Sequence, residues 1–191
     1  MKRTFLYILA ALLAASCKNS SVQNNKSEGD KPVITVTIEP LRYFTEAIAG
    51  DNFNVISMVP KGSSPETYDP TPQQLVDLAK SKAYFRIGYI GFEQTWMDKL
   101  TDNAPHLQFF DTSRGIDLIY DSSHAHHHHD ADEPHAHDSI QDDEHQHLLG
   151  VEPHVWSSAY NAQIIAGNIV NALCAIDKGN EEVYIDRKSV V

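Results

Sequence analysis

Short apolar runs alternate with segments of helical periodicity along the body of the chain. Four runs are rich in β-branched and aromatic residues and are bounded by Pro, Gly, Asp or Ser, a pattern that predicts strands. In chain order these runs are PVITVTI, FNVISMV, AYFRIG and LQFFDTS. Each is followed by a loop or by a segment with a different period, so the predicted strands are separate elements.

The segments after the first three runs, and one near the end, have apolar residues three or four apart, which predicts helices. The predicted helices are LRYFTEAIAG, PQQLVDLAKSK, residues 91–103 and SSAYNAQIIAGNIVNALCAID, followed by a last helical start in EEVYIDRKSVV. Thr71 as N-cap, Pro72 as first helical residue and Gln74 as third form a capping box that opens the second of them. Ser157 or Ser158 is expected to cap the long helix near the end.

Repeated strand-helix-strand units of this length predict an α/β fold with a parallel sheet and helices on both faces. Such a sheet presents its ligand site in the loops at the carboxyl ends of its strands. Two loops are therefore the candidates for function: PKGSSPETYDPTP, and a histidine-rich tract with its exit VEPHVWSS.

The amino terminus, MKRTFLYILAALLAASCKNSS, has two basic residues, about a dozen apolar residues and then small residues before Cys17. The apolar run is too short to span a membrane, which needs roughly 20 residues. The end of the segment resembles a lipobox, so we expect residues 1–16 to be a lipoprotein signal peptide, Cys17 to be lipidated, and residues 17–31 to be a flexible tether. Ordinary signal cleavage is the alternative.

Composition narrows the class of protein. The chain has 191 residues, enough for one domain, and its formal net charge of −11 at pH 7 argues against nucleic acid as a partner. The second of the two cysteines is Cys174, so lipidation of Cys17 leaves no intramolecular disulfide, and Cys174 is expected to be a small buried hydrophobe.

Ten of the 11 histidines lie between His124 and Trp156, interleaved with acids and at most four in a row. This internal tract differs from an affinity tag and has the composition of a solvated, disordered loop, which does not exclude metal binding. Loose imidazoles among carboxylates suit weak capture of zinc in several geometries. The expected capture residues are His124, His126, His127, His128, His129, His135, His137, His145 and His147. Without a rigid frame or a recognised catalytic motif, we expect no enzyme.

The segment VPKGSSPETYDPTPQQLVDLAKSKAYFRIGYIGFEQTWMDKL, a histidine-rich acidic loop and then EPHVWSSAYNAQIIAGNIVNAL resemble the metal-binding solute-binding proteins of bacterial ABC importers, especially their zinc-specific branch. The resemblance runs from about Pro32 to the end. It implies one lobe of a fold with two α/β lobes joined by a long helix and a metal bound between them. It also implies a zinc ligand at His154.

Glu66 stands where the family's Pro-x-Gly-x-x-Pro-His pattern has its first histidine. A carboxylate also binds zinc and is more tolerant of manganese, so the resemblance implies Glu66 as a second ligand for Zn²⁺, with Mn²⁺ as an alternative cargo. The alternative is that Glu66 caps a loop or lies in solvent. Tyr68, Asp69, Trp96 and Trp156 are expected to be structural.

The family would continue through a second lobe, which contributes its third and fourth ligands. We therefore expect an amino-terminal metal-binding lobe over residues 32–178, with the capture loop at 124–147, and the truncated start of the interlobe helix at 179–191. The implied function is a lipid-anchored, extracytoplasmic zinc-binding component of an importer, with an ABC permease and ATPase as partners. The alternatives are a surface metal buffer or adhesin-like lipoprotein without a transporter, and a non-functional fragment.

Overall fold

Four short parallel strands form the centre of the fold. The structure is a computed structural model that describes residues 31–120 and 150–190. The strands are β1 (Val33–Val36), β2 (Asn54–Ser57), β3 (Ala83–Arg86) and β4 (Gln108–Asp111), paired in the order β2-β1-β3-β4. Every pair is parallel, which confirms the predicted sheet.

Helices connect and flank the strands. They are α1 (Glu39–Ala49), α2 (Pro72–Leu78), α3 (Gly91–Asn103), α4 (Ala159–Ile176) and α5 (Glu181–Arg187). Short 3₁₀ segments lie at Gly50–Asn52, Val155–Ser157, Lys178–Asn180 and Lys188–Val190. The predicted capping box at Thr71 and Gln74 is present, and Ser158 caps α4 by accepting a hydrogen bond from the Asn161 amide at 3.4 Å.

The core lies between the sheet and the helices. Inward residues of the strands, including Ile34, Val36 and Phe85, are fully buried. Helix α4 buries Ile165 and Leu173 against this core, together with other apolar residues on the same side. Its 18 residues are long and apolar enough to cross a membrane by length and composition alone, but a packed core helix has the same properties.

Helix α2 ends at Leu78, four residues before the end that the sequence predicts. The chain turns there because the Lys82 amide donates to the Val33 carbonyl at 2.8 Å and begins the pairing with β1. The Ser81 hydroxyl also bonds the Thr35 hydroxyl at 2.7 Å. Contacts with a distant strand therefore override the local helical preference of Lys80, Ser81 and Lys82.

A buried carboxylate joins helix α3 to the carboxyl ends of two strands. Glu93 is 1% exposed, and its Oε1 accepts hydrogen bonds from the Ile87 amide at 2.9 Å and from the Thr37 hydroxyl. Its Oε2 accepts a hydrogen bond from the Gly88 amide. The Thr37 hydroxyl also bonds the Tyr84 hydroxyl at 2.9 Å, so the carboxylate belongs to a polar network inside the core.

Replacing Glu93 by glutamine is expected to destabilise the fold. The amide of glutamine has one acceptor oxygen, so its NH₂ group would face the backbone amide of Ile87 or of Gly88 and leave a buried donor unpaired. We expect the free energy of unfolding at pH 7 to fall by about 1–3 kcal/mol, measured by urea titration. Asp98→Asn, the same change of charge at an exposed position of α3, is the control and should stay within about 0.5 kcal/mol of the native chain.

The same carboxylate makes stability depend on pH. Burial raises the pKa of Glu93 above its ordinary value of 4.5, so the folded chain binds a proton at a pH where the unfolded chain has released it. The contribution of Glu93 to stability is therefore complete below pH 4.5 and is lost as the pH rises through the raised pKa. Relative to Glu93→Gln, the native chain should lose unfolding free energy from pH 4.5 towards neutral, and a difference that grows with pH would contradict this assignment.

Candidate functional site

The loop PKGSSPETYDPTP and the exit segment VEPHVWSS reach the same edge of the sheet. A pocket of about 210 Å³ lies beyond the carboxyl ends of β1 and β2. Ile38 and Pro60, which follow these strands, line the pocket together with Pro65 and Trp156. Pro65 directly precedes Glu66, and Trp156 lies two residues after His154. The segments that carry the two predicted ligands therefore meet at one pocket.

The Glu66 carboxylate lies at the amino terminus of α3. Its Oε2 accepts a hydrogen bond from the Gly91 amide at 3.0 Å, and the Phe92 amide donates to the Pro65 carbonyl at 2.8 Å. A carboxylate at this position is stabilised by the unpaired amides and the dipole of the helix. Within the described part of the chain, Oε1 of the exposed Glu66 makes no hydrogen bond. Glu66 thus bonds the first turn of α3, whereas the alternative drawn from the sequence was a loop cap or a solvent position, and one carboxylate oxygen remains for another contact.

Side-chain contacts hold the loop around Glu66. The Tyr68 hydroxyl donates to Oε1 of Gln74 at 2.8 Å, and the Trp96 indole donates to Oδ1 of Asp69 at 3.1 Å. Trp96 and Tyr68 also pack against the core. These contacts connect the loop to α2 and α3 and restrain the segment that carries Glu66.

His154 lies immediately before the 3₁₀ segment Val155–Ser157. Its side chain is 61% exposed, and its ring centroid is 5.1 Å from that of Trp156 at an interplanar angle of 57°. The Glu152 carboxylate contacts Nδ1 of the ring, and its Oε1 also accepts the His154 backbone amide at 3.1 Å. The imidazole is therefore held on one side by a carboxylate and packed on another by an indole.

The remaining predicted site residues lie outside the described residues. These are Cys17 and the capture residues His124, His126, His127, His128, His129, His135, His137, His145 and His147. The chain on either side of the histidine tract is paired: Tyr120 forms an antiparallel bridge with Val151, and the Glu152 amide donates to the Ile119 carbonyl at 2.8 Å. The described segments that flank the tract are thus paired three residues before His154.

Over residues 31–120 and 150–190, no three or more histidine, cysteine, aspartate or glutamate side chains converge as a set that could hold a metal ion. The sequence interpretation also missed three residues that shape the site: Gly91, Glu93 and Glu152. The only local signal for Glu152 was its position two residues before the predicted ligand His154. The only signal for Glu93 was an acidic residue on the apolar side of a predicted helix. Cys174 is half-buried and packs against the core rather than being fully enclosed.

Comparison with known proteins identifies the family. The sequence model for ZnuA, the periplasmic component A of the zinc-uptake complex, matches residues 34–189. The chain belongs to the ZnuA family. The parallel sheet and its flanking helices correspond to one lobe of the two-lobe fold of these metal-receptor proteins.

Relatives of the ZnuA family differ in the metal they are named for. The high-affinity zinc uptake system protein ZnuA of Bacillus subtilis is 30% identical over 94% of this chain and 54% of its own length. The manganese ABC transporter substrate-binding lipoprotein PsaA of Streptococcus anginosus is 29% identical over 94% of this chain and 52% of its own. The chain spans about half the length of the curated relatives it matches.

A solved structure supports the same assignment. The crystal structure of a ZnuA deletion mutant with zinc bound superposes with a TM-score of 0.67 and 30% identity, and the match covers 84% of this chain and 53% of that one. The relatives are solute-binding transport proteins, which agrees with the expectation that the chain is not an enzyme.

The close packing of Gly91 on Glu66 makes a testable prediction. A Cβ at Gly91 would lie 2.9 Å from the Glu66 carbonyl oxygen and would also collide with the Glu66 carboxylate. Because one of the atoms in the way is backbone, Gly91→Ala should displace the Glu66 loop and lower the free energy of unfolding by about 1–3 kcal/mol. Denaturant titration measures this, and Gly179→Ala, where the nearest atom is 3.8 Å away, is the control. Equal stability of the two variants would contradict the tight contact.

Proposed function

We propose that this member of the ZnuA family captures a divalent metal ion, zinc first, outside the cytoplasm and delivers it to an ABC importer. The convergence of the Glu66 and His154 segments on one pocket carries this proposal. The pocket lies at the carboxyl edge of a parallel sheet, where α/β folds bind their ligands. His154 supplies the imidazole and Glu66 the carboxylate, and both residue types are ordinary zinc ligands.

In this proposal, two side chains bind the metal ion, and no complete set of ligands is assembled before the ion arrives. The unbonded Oε1 of Glu66 is the oxygen available to the ion, while Oε2 stays with the Gly91 amide and keeps the loop in place. A carboxylate in place of a histidine makes the site harder, so manganese is the second candidate cargo. Two ligands leave positions open for water or for groups supplied from elsewhere.

The histidine tract is proposed to concentrate metal beside this site. The described segments that flank the tract are joined by the bridge between Tyr120 and Val151, and His154 follows three residues later. A tract tethered so close has an effective concentration on the order of millimolar at the site. Imidazoles near their reference pKa of about 6.5 are mostly neutral at pH 7, so capture by the tract should weaken in acid.

The same proposal includes a membrane anchor for the chain and the other components of an importer as its partners. A lipid on Cys17 would hold the chain at the extracytoplasmic face of the membrane, with residues 17–31 as tether. The permease and ATPase of an importer would be its partners. Uptake of radioactive zinc by cells that lack the chain separates import from storage: import predicts slower uptake from dilute zinc, whereas a surface buffer predicts unchanged uptake and less metal bound to the cell surface.

Calorimetric titration of zinc at pH 7.5 and 5.5 tests the site. The native chain should show one tight component and several weaker ones, and deletion of residues 124–147 should remove the weaker ones. His154→Ala should weaken the tight component by at least about 100-fold, which exceeds the usual effect of residues that only support a ligand. At pH 5.5 the components supplied by the histidine tract should be weaker.

Two matched variants sharpen the titration. His106→Gln changes the other histidine of the described residues, which bonds the Ala79 carbonyl at the opposite edge of the sheet, and should leave the tight component unchanged. Glu66→His restores the family pattern and should favour zinc over manganese by about tenfold relative to the native chain. A tight component that survives the double change of Glu66 and His154 to alanine would refute this site. Binding that disappears entirely with residues 124–147 would identify a metal buffer.

A further inference from the structure

We propose that Glu152 is the positioning residue that fixes the tautomer and direction of the His154 imidazole for metal capture. The inference rests on the proposed role of His154 as a ligand and adds a residue to which neither the sequence nor the family resemblance assigned a role. It begins from a contact within the described structure: the Glu152 carboxylate reaches Nδ1 of His154.

The chemistry of the two groups determines which ring nitrogen is free. An ionised carboxylate can only accept hydrogen bonds, so the contact with Nδ1 requires a proton on that nitrogen. In the neutral ring the lone pair then lies on Nε2. Nε2 makes no hydrogen bond within the described part of the chain, and the side chain is 61% exposed. The free lone pair is thus on the nitrogen that is accessible to an incoming ion.

The position of the carboxylate is itself fixed by the backbone. The Glu152 amide donates to the Ile119 carbonyl at 2.8 Å, which anchors the residue to the paired chain at the base of the histidine tract. Pro153 restricts the backbone between Glu152 and His154. Oε1 of Glu152 also accepts the His154 amide at 3.1 Å. These restraints hold the carboxylate at the Nδ1 side of the ring.

Trp156 restricts the ring on its other side. The two ring centroids are 5.1 Å apart, and Trp156 is partly buried and lines the pocket beside Pro65. Rotation of the imidazole about its side-chain bonds would break either the carboxylate contact or this packing. The ring is therefore oriented before metal arrives.

The decisive variant is Glu152→Gln, because it separates positioning from a purely structural contact. Glutamine keeps an oxygen that can accept the His154 amide, but its NH₂ group can donate to an unprotonated Nδ1, so it no longer requires a proton on that nitrogen. A structural role predicts native zinc affinity for Glu152→Gln. A positioning role predicts weaker binding for Glu152→Gln and a loss of about 10–100-fold for Glu152→Ala. Glu182→Gln and Glu182→Ala, at an exposed position of α5, are the matched controls and should bind as the native chain does.

Affinity should be measured on the full chain by competition with a zinc chelator strong enough to outcompete the histidine tract. Long-range ¹H–¹⁵N spectra of the metal-free protein supply an independent readout, with the His154 signals assigned by comparison with His154→Gln. We expect the Nδ1–H tautomer in the native chain and a shift towards the Nε2–H tautomer in Glu152→Ala.

The outcomes separate this inference from the proposed function. If His154→Ala does not weaken zinc binding, His154 is not a ligand and the proposed site fails. If His154→Ala weakens binding but Glu152→Gln and Glu152→Ala bind as the native chain does, only the positioning role of Glu152 is refuted. A loss in Glu152→Ala as large as that in His154→Ala, with an unchanged tautomer, would make Glu152 a ligand and also overturn the inference.

Discussion

The buried carboxylate of Glu93 is the contact on which the geometry of the site depends. It accepts hydrogen bonds from Ile87, Gly88 and Thr37, at the ends of two neighbouring strands, and so fixes the first turn of α3 against the sheet. That turn contains the Gly91 amide that holds Glu66 and the Phe92 amide that holds the Pro65 carbonyl. A charge inside the core is costly, and the three donors offset only part of that cost, because burial still raises the pKa of Glu93.

Glu66 illustrates how one residue can support the fold and remain available for chemistry. The family pattern has a histidine there, which has no carboxylate to place on the helix terminus. In this chain the substitution is accommodated by the Gly91 amide at 3.0 Å and by the absence of a side chain at Gly91. A metal ion at Oε1 would therefore share a carboxylate whose Oε2 already has a structural partner.

Much of the fold follows from local sequence patterns. Four apolar runs became the four strands, the capping box at Thr71 and Gln74 formed as predicted, and the bounds of α3 are those that the periodicity indicates. The strands are shorter than the runs, and α2 ends early because Lys82 pairs with Val33, a contact between residues far apart in sequence.

The candidate site was less predictable, mainly because its contacts join residues that are far apart in sequence. The family resemblance pointed to His154 and Glu66, but the partner of Glu66 lies 25 residues away, beyond α2 and β3. The role of Glu93 depends on strand ends that come together only in the folded chain. Glu152 is close in sequence to His154, yet its contact requires a particular backbone path through Pro153. Local sequence patterns carry neither the two tertiary contacts of Glu66 and Glu93 nor the backbone path that the contact of Glu152 needs.

Anomalous diffraction at the zinc absorption edge, from crystals of the full chain grown with zinc, tests most directly whether His154 and Glu66 together bind the ion. A shared site predicts a peak about 2.0–2.1 Å from Nε2 of His154 and about 2.0–2.2 Å from a carboxylate oxygen of Glu66. Zinc peaks located only beside histidines of residues 124–147, with no ion at His154 or Glu66, would contradict a shared site.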